Sequence, residues 1–246
     1  MPMKYATTSG PDADALAGQA RHRLSADEAA EREQALERYI LDHISAEDPY
    51  LYRLYRATHT RLLRPRMASG HLQGQVLRML TTMIQPRTVV EIGTFSGYSA
   101  LSMAAGMAPG STIYTFEVND EQEDFTRPWL EGSPYPPHIR LIIGDVMTLL
   151  PQMDIGPIDM AFVDANKRDY SAYYRLLMPR LRPGGYLIAD NTLWDGHVID
   201  PAYAHDAQTQ GVMAFNDLVA RDEGAEKVIL PLRDGLTIIR KKNPCV

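Results

Sequence analysis

With 246 residues, 45% of them hydrophobic and 23% charged, the chain has an ordinary globular composition, and one domain is expected rather than two. A formal net charge of −6 gives no electrostatic reason for nucleic acid or an anionic membrane as partner, and no stretch approaches the ~20 apolar residues of a membrane span. The single cysteine, Cys245, excludes an intramolecular disulfide, so the expected setting is cytoplasmic.

In chain order, residues 1–24 are rich in small and polar types around Gly10-Pro11 and read as a flexible lead, with a single domain over 25–246. Ser25 with Glu28 forms a capping-box pattern that opens a helix through about Ile44, with Leu36, Tyr39, Ile40 and His43 on one face. Asp48-Pro49 opens a second helix with Leu51, Leu54, Tyr55, Thr58 and Leu62 as its stripe. Residues 25–63 are therefore accessory N-terminal helices, structural or lying over a site mouth or a subunit interface, and the core is 64–246. Arg64-Pro65-Arg66-Met67 breaks the pattern before a third helix, Gly70 to Ile84, with Leu72, Val76, Leu77, Leu80 and Ile84 at helical spacing.

Val89-Val90-Glu91-Ile92-Gly93 reads as a short buried strand. The glycine turn Gly93 to Ser99 then opens a helix to Met107, and its free N–H groups favour an anionic group. The spacing is not the dinucleotide GxGxxG. The next strand, Thr112 to Phe116, ends on Glu117, where an acid can take both hydroxyls of a ribose. Asp120 to Leu130 reads as a helix cut by Pro128, followed by a rigid proline-rich link over 133–137 and a strand, Ile139 to Ile143, ending at Gly144-Asp145, where Asp145 faces an adenine edge. Two further apolar runs, Met160 to Val163 and Tyr186 to Ala189, each finish on an aspartate, Asp164 and Asp190. The two acids are 26 positions apart, room for one crossover helix, so they fall at the carboxyl ends of neighbouring parallel strands, where open sheets bind ligands. A lone strand-end aspartate is ordinarily a cap; two in register with Asn191 alongside make an all-oxygen set suited to Mg²⁺ or Ca²⁺. A helix to about Arg221 and strands Lys227 to Leu230 and Leu236 to Arg240, joined through the turn Arg233-Asp234-Gly235, complete seven strands.

The motifs VVEIGTFSGYSALSMA, YTFEVNDE, FVDANKRDY, RPGGYLIADNTLWDG and PLRDGLTIIR together resemble the cation-dependent, S-adenosylmethionine-dependent O-methyltransferases, the group containing the catechol and caffeoyl-coenzyme A enzymes. The resemblance runs from about Met67 to Arg240. It implies a Rossmann-like class I methyltransferase fold: α/β, a seven-stranded, mostly parallel sheet with a C-terminal antiparallel hairpin and helices on both faces. It implies that Asp164, Asp190 and Asn191 hold a divalent cation, Mg²⁺ first with Ca²⁺ or Mn²⁺ as substitutes. It implies a cofactor site of Met67, Glu91, Gly93, Phe95, Ser99, Glu117, Asp145, Val146 and Asp164. Lys167 falls where the family keeps its candidate base, with Asp164 beside it, and Trp194 matches an aromatic wall for the acceptor; Lys167 either takes a phenolic proton or stays charged against the oxyanion. The implied partner is a small aromatic acceptor with two vicinal hydroxyls, and a homodimer is expected. Residues 206–213 carry no arginine, which weakens a coenzyme A thioester as acceptor. The alternatives are a nicotinamide oxidoreductase, against which the missing GxGxxG counts, and a non-catalytic S-adenosylmethionine-binding protein.

Overall fold

The structure is a computed structural model and describes residues 25–243; the lead at 1–24 and Cys245 lie outside the described residues. The chain forms two compact units, one ending at Ile44 and one beginning at Ser45. In the first, helix α1 (Ala26–His43) starts on the capping box: Glu28 N donates to Ser25 Oγ at 3.2 Å, and Ser25 N donates to the Glu28 carboxylate at 2.8 Å. Leu36 and Tyr39 on this helix are exposed.

In the second unit, Asp48 caps α2 (Pro49–Arg61), whose Leu51, Leu54 and Thr58 are buried. Helix α3 (Gly70–Ile84) differs from its apolar pattern. Its buried residues are Gln73, Gly74, Leu77 and Thr81, while Leu72, Val76, Leu80 and Ile84 are only half-buried. The polar stripe turns inward because its groups have partners there: Thr81 Oγ1 donates to Met103 O at 2.9 Å, and Gln73 Nε2 to the Asp190 carboxylate. Gly74 permits the approach, since a Cβ there would lie 2.8 Å from the Tyr98 ring.

The sheet follows: β1 (Thr88–Ile92), β2 (Thr112–Glu117), β3 (His138–Ile143), β4 (Ile158–Val163), β5 (Leu181–Asp190), β6 (Ala225–Leu230) and β7 (Leu236–Lys241), in the order β3-β2-β1-β4-β5-β7-β6. The first five are parallel, and β7 runs antiparallel to both β5 and β6. Period-two burial splits the inner strands between two cores. Val90, Ala161, Val163 and Leu187 pack with Tyr170 and Phe215 on one side; Val89, Met160, Phe162 and Ile188 pack with Leu77 and Met103 on the other.

The crossovers are α4 (Tyr98–Ala104), α5 (Glu123–Glu131), α6 (Val146–Leu149), α7 (Tyr170–Arg180) and α8 (Ala207–Arg221). Helix α4 ends three residues before the expected Met107, its last turn closing through Gly106 N to Met103 O at 3.0 Å. Pro128 sits inside α5 rather than cutting it, and Gly132 N still donates to Pro128 O at 3.0 Å. Strand β5 begins at Leu181, five residues earlier than its apolar run. The register shifts between Ile158 and Met160, and a Cβ on Gly185 would meet the Asp159 carbonyl at 3.0 Å, so Pro183-Gly184-Gly185 is a bulge within the strand.

Candidate active site

The two aspartates stand side by side because their strands pair in register: Val163 lies opposite Ala189, so Asp164 and Asp190 leave neighbouring carboxyl ends. Gly93 is the reciprocal feature on β1. Its φ is +97°, and a Cβ there would fall 2.0 Å from Asp164 O, so only glycine lets the β1 and β4 ends come this close.

Two cavities open at this edge, of about 770 and 650 Å³. Both are lined by Arg64, Met67, Gly93, Phe95, Asp164 and Ala165, so they share one wall. The first adds Ser99, Lys167, Asp190, Asn191 and Trp194; the second adds Glu117, Asp145 and Val146. Every residue singled out in the sequence thus lines a cavity except Glu91, which is fully buried beneath the glycine turn.

Lys167 is 5% exposed, and its Nζ donates to Asp164 Oδ1 and to Tyr170 OH, both at 2.7 Å. Nζ also stands 5.8 Å from the centre of the Trp194 ring. Tyr170 OH in turn donates to Asp190 O at 3.0 Å, which joins the lysine to both strand ends. Asp190 is buried; burial first, and the Asp164 charge second, push its carboxyl above the usual range, opposed by Gln73, Lys167 and Asn191 N. Burial likewise pushes Glu91 up to about 7, against the pull of the Ser99 and Thr115 hydroxyls. Thr115 Oγ1 donates to one Glu91 oxygen, and Oε1 has no hydrogen-bond partner among the described residues.

In the second cavity Glu117 accepts from Phe95 N at 2.8 Å and Asn119 N at 2.9 Å, so its carboxylate is fixed in place at the end of β2. Asp145 caps α6, accepting from Met147 N at 3.0 Å. Backbone strain gathers around the first cavity: of seven non-glycine residues at positive φ among the described residues, Arg64, Phe95, Asn191, Trp194 and Arg233 line it.

Among the described residues no group of three or more His, Cys, Asp or Glu side chains comes together as a metal site. A cation here would need a mixed set, and Asp164, Asp190 and Asn191 offer one: three oxygen donors on one wall, with Lys167 Nζ 2.7 Å from the Asp164 carboxylate. The sequence reading did not assign Gln73 or Tyr170 to the site, and it took Arg64 and Arg66 as a helix break and Arg233 and Asp234 as a turn rather than as cavity lining. Gln73 lies in no motif, and Tyr170 closes the stretch FVDANKRDY without a role of its own being legible there, since a tyrosine or glutamine on a helix face looks like packing. Arg64 and Arg66 bring cations to the cavity from a segment other than 206–213.

The sequence profile of the O-methyltransferase family matches residues 42–242. The chain belongs to this O-methyltransferase family. Among its relatives, caffeoyl-CoA O-methyltransferase 2 of Zea mays is 32% identical over 185 residues, 71% of this chain and 70% of the maize chain. The catechol O-methyltransferase of Niastella koreensis is 26% identical over 81% of this chain and 90% of its own. An O-methyltransferase from Bacillus cereus, solved in complex with SAH, superposes with a TM-score of 0.78 at 25% identity, covering 85% of this chain and 97% of its own. Membership in an O-methyltransferase family sets aside the nicotinamide oxidoreductase and the non-catalytic alternative.

Proposed function

We propose that this O-methyltransferase transfers the methyl group of S-adenosylmethionine to one hydroxyl of a vicinal-dihydroxy aromatic acceptor, with a divalent cation held by Asp164, Asp190 and Asn191. The observation that carries the reading is the shared wall: a cavity ending on the acid pair and a cavity ending on Glu117 meet at Gly93, Phe95 and Asp164. A donor with its ribose on Glu117 and its adenine by Asp145 and Val146 has its sulfonium end at that wall, facing the acceptor cavity. The SAH in the Bacillus cereus relative supports the choice of donor, and the caffeoyl and catechol acceptors named for the other relatives both carry adjacent ring hydroxyls.

A bound divalent cation supplies charge that favours the phenolate over the phenol and fixes vicinal oxygens. This chain's residues do the rest. Trp194 and Met67 give the ring an apolar wall, and Gly93 keeps side-chain bulk out of the path between the two cavities. Lys167 Nζ, held between Asp164 and Tyr170, stabilises negative charge on the reacting oxygen. Positioning two reactants in this way is worth roughly 7–11 kcal/mol over free encounter. The proposal extends to a cytoplasmic homodimer, which gel filtration with light scattering would weigh.

The test is methyl transfer to a panel of catechols, caffeic acid and caffeoyl-coenzyme A, with Mg²⁺ and with chelator, on the parent and Asp164→Ala. Loss of turnover by about 10²-fold or more in chelator and in the variant is expected, several kcal/mol of transition-state stabilisation. Full turnover in chelator would overturn the metal-assisted reading.

A further inference from the structure

The turn Arg233-Asp234-Gly235 joins β6 to β7, yet it spends most of its hydrogen bonds on the loop that follows β5. Leu193 N and Trp194 N both donate to Asp234 O, at 2.7 and 3.1 Å, and Thr192 N donates to Gly235 O at 3.0 Å. A Cβ on Gly235 would lie 2.6 Å from Leu193 N, so the turn and the loop are in backbone contact. Arg233 Nη1 donates to Ser69 O and, at 2.8 Å, to Gln73 Oε1, while Gln73 Nε2 donates to Asp190 Oδ2 at 2.5 Å. The turn is therefore tied to α3, to Asp190 and to the loop of Asn191 and Trp194. Asn191 Nδ2 donates to Asp234 Oδ2 at 3.2 Å, and both residues line the first cavity.

We propose that Asp234 is a positioning residue that sets the orientation of the Asn191 amide, and with it the atom Asn191 offers to a cation; this rests on the metal reading above. A carboxylate can only accept, so the amide must turn its NH₂ toward Asp234. The opposite edge of the amide, Oδ1, is then the edge left for a hard cation. Without Asp234 the amide is free to rotate by half a turn and present NH₂, which cannot ligate. The strained backbone of Asn191, at φ +55°, fixes where the side chain begins but not which way its amide faces. Gln73 and Arg233 hold Asp190 and the turn in one frame, so that the two ligands and Asp234 keep their spacing. Partners of this kind outside the ligand set are worth ~10–100-fold in metal affinity.

The test is Mn²⁺ affinity, read by electron paramagnetic resonance on the full chain, in a cycle of Asp234→Leu and Asn191→Asp. Asp234→Leu has a similar volume, removes the side-chain acceptor that an asparagine would keep, and leaves the backbone carbonyl that accepts from Leu193 N and Trp194 N, so SAH affinity by calorimetry should match the parent and shows that the variant is folded. Expected is a 10–100-fold weaker Mn²⁺ affinity for Asp234→Leu, and less than about threefold loss for the same change in the Asn191→Asp background, where either carboxylate oxygen can ligate. Unchanged Mn²⁺ affinity in Asp234→Leu overturns the proposal. Equal loss in both backgrounds overturns it too, and makes Asp234 a ligand in its own right. A parent that binds SAH but no Mn²⁺ sinks the metal reading itself, a result distinct from either.

Discussion

Glu91 shows what a single residue at this edge costs the fold. It is fully buried, its Oε1 has no described partner, and burial raises its carboxyl to about 7, above the 4.5 of an unfolded chain. The native state therefore binds a proton that the unfolded state releases first. The stability this proton contributes is complete below about pH 4.5 and is lost as pH rises through about 7, a difference of up to ~3 kcal/mol. Glu91→Gln carries a permanent neutral group of the same shape and should not show this loss. Between pH 5 and 8 the melting temperature of the parent should fall relative to that of Glu91→Gln by several degrees, at ~2–4 °C per kcal/mol for a chain of this size. Parallel pH curves for the two proteins would show that Glu91 does not titrate differently in the fold.

Glycine decides how closely the elements meet. Gly93 and Gly110 both have positive φ, +97° and +80°, yet a Cβ on Gly93 would fall 2.0 Å from Asp164 O, while Gly110 has nothing within 4 Å. Gly110→Ala should cost ~1–2 kcal/mol of backbone strain alone and leave SAH binding intact. Gly93→Ala adds a collision with the β4 end, so the predicted loss is at least ~3 kcal/mol by thermal unfolding, with SAH binding abolished by calorimetry. Equal effects at the two glycines would mean that the β1–β4 contact can yield. The same elements show what was legible beforehand. Gly93, Asp164 and Asp190 sit where apolar strands end, and a strand end can be read from a run such as Met160 to Val163. The inward face of α3 could not be read that way, because Gln73 is buried by partners on β5 and on the β6–β7 turn, more than a hundred residues away in sequence. Nor could the start of β5, where a bulge lets proline and glycine continue a strand that their local preferences argue against.

At the scale of the whole molecule, the site is a junction of segments that are far apart in the chain. The first cavity draws on 64–69, 93–99, 164–167, 190–194, 208 and 233–234, and the second adds 61–63, 92, 116–122, 144–146 and 173. No short stretch of sequence contains it. A ligand bound there favours the native state of the unit from Ser45 onward and has no comparable site on an unfolded chain. At a hundredfold excess over its dissociation constant, such a ligand adds about 2.7 kcal/mol of stability. For a chain of this length that corresponds to ~5–11 °C in melting temperature. Differential scanning calorimetry with SAH should show a rise in this range, and the increment should grow with the logarithm of SAH concentration beyond saturation. Glu117→Ala, which removes the carboxylate held by Phe95 N and Asn119 N, should abolish the rise with little change in the unliganded transition. A parent whose transition does not move with SAH would show that the cleft is not the donor site. A rise that persists undiminished in Glu117→Ala would place the donor elsewhere along the sheet edge.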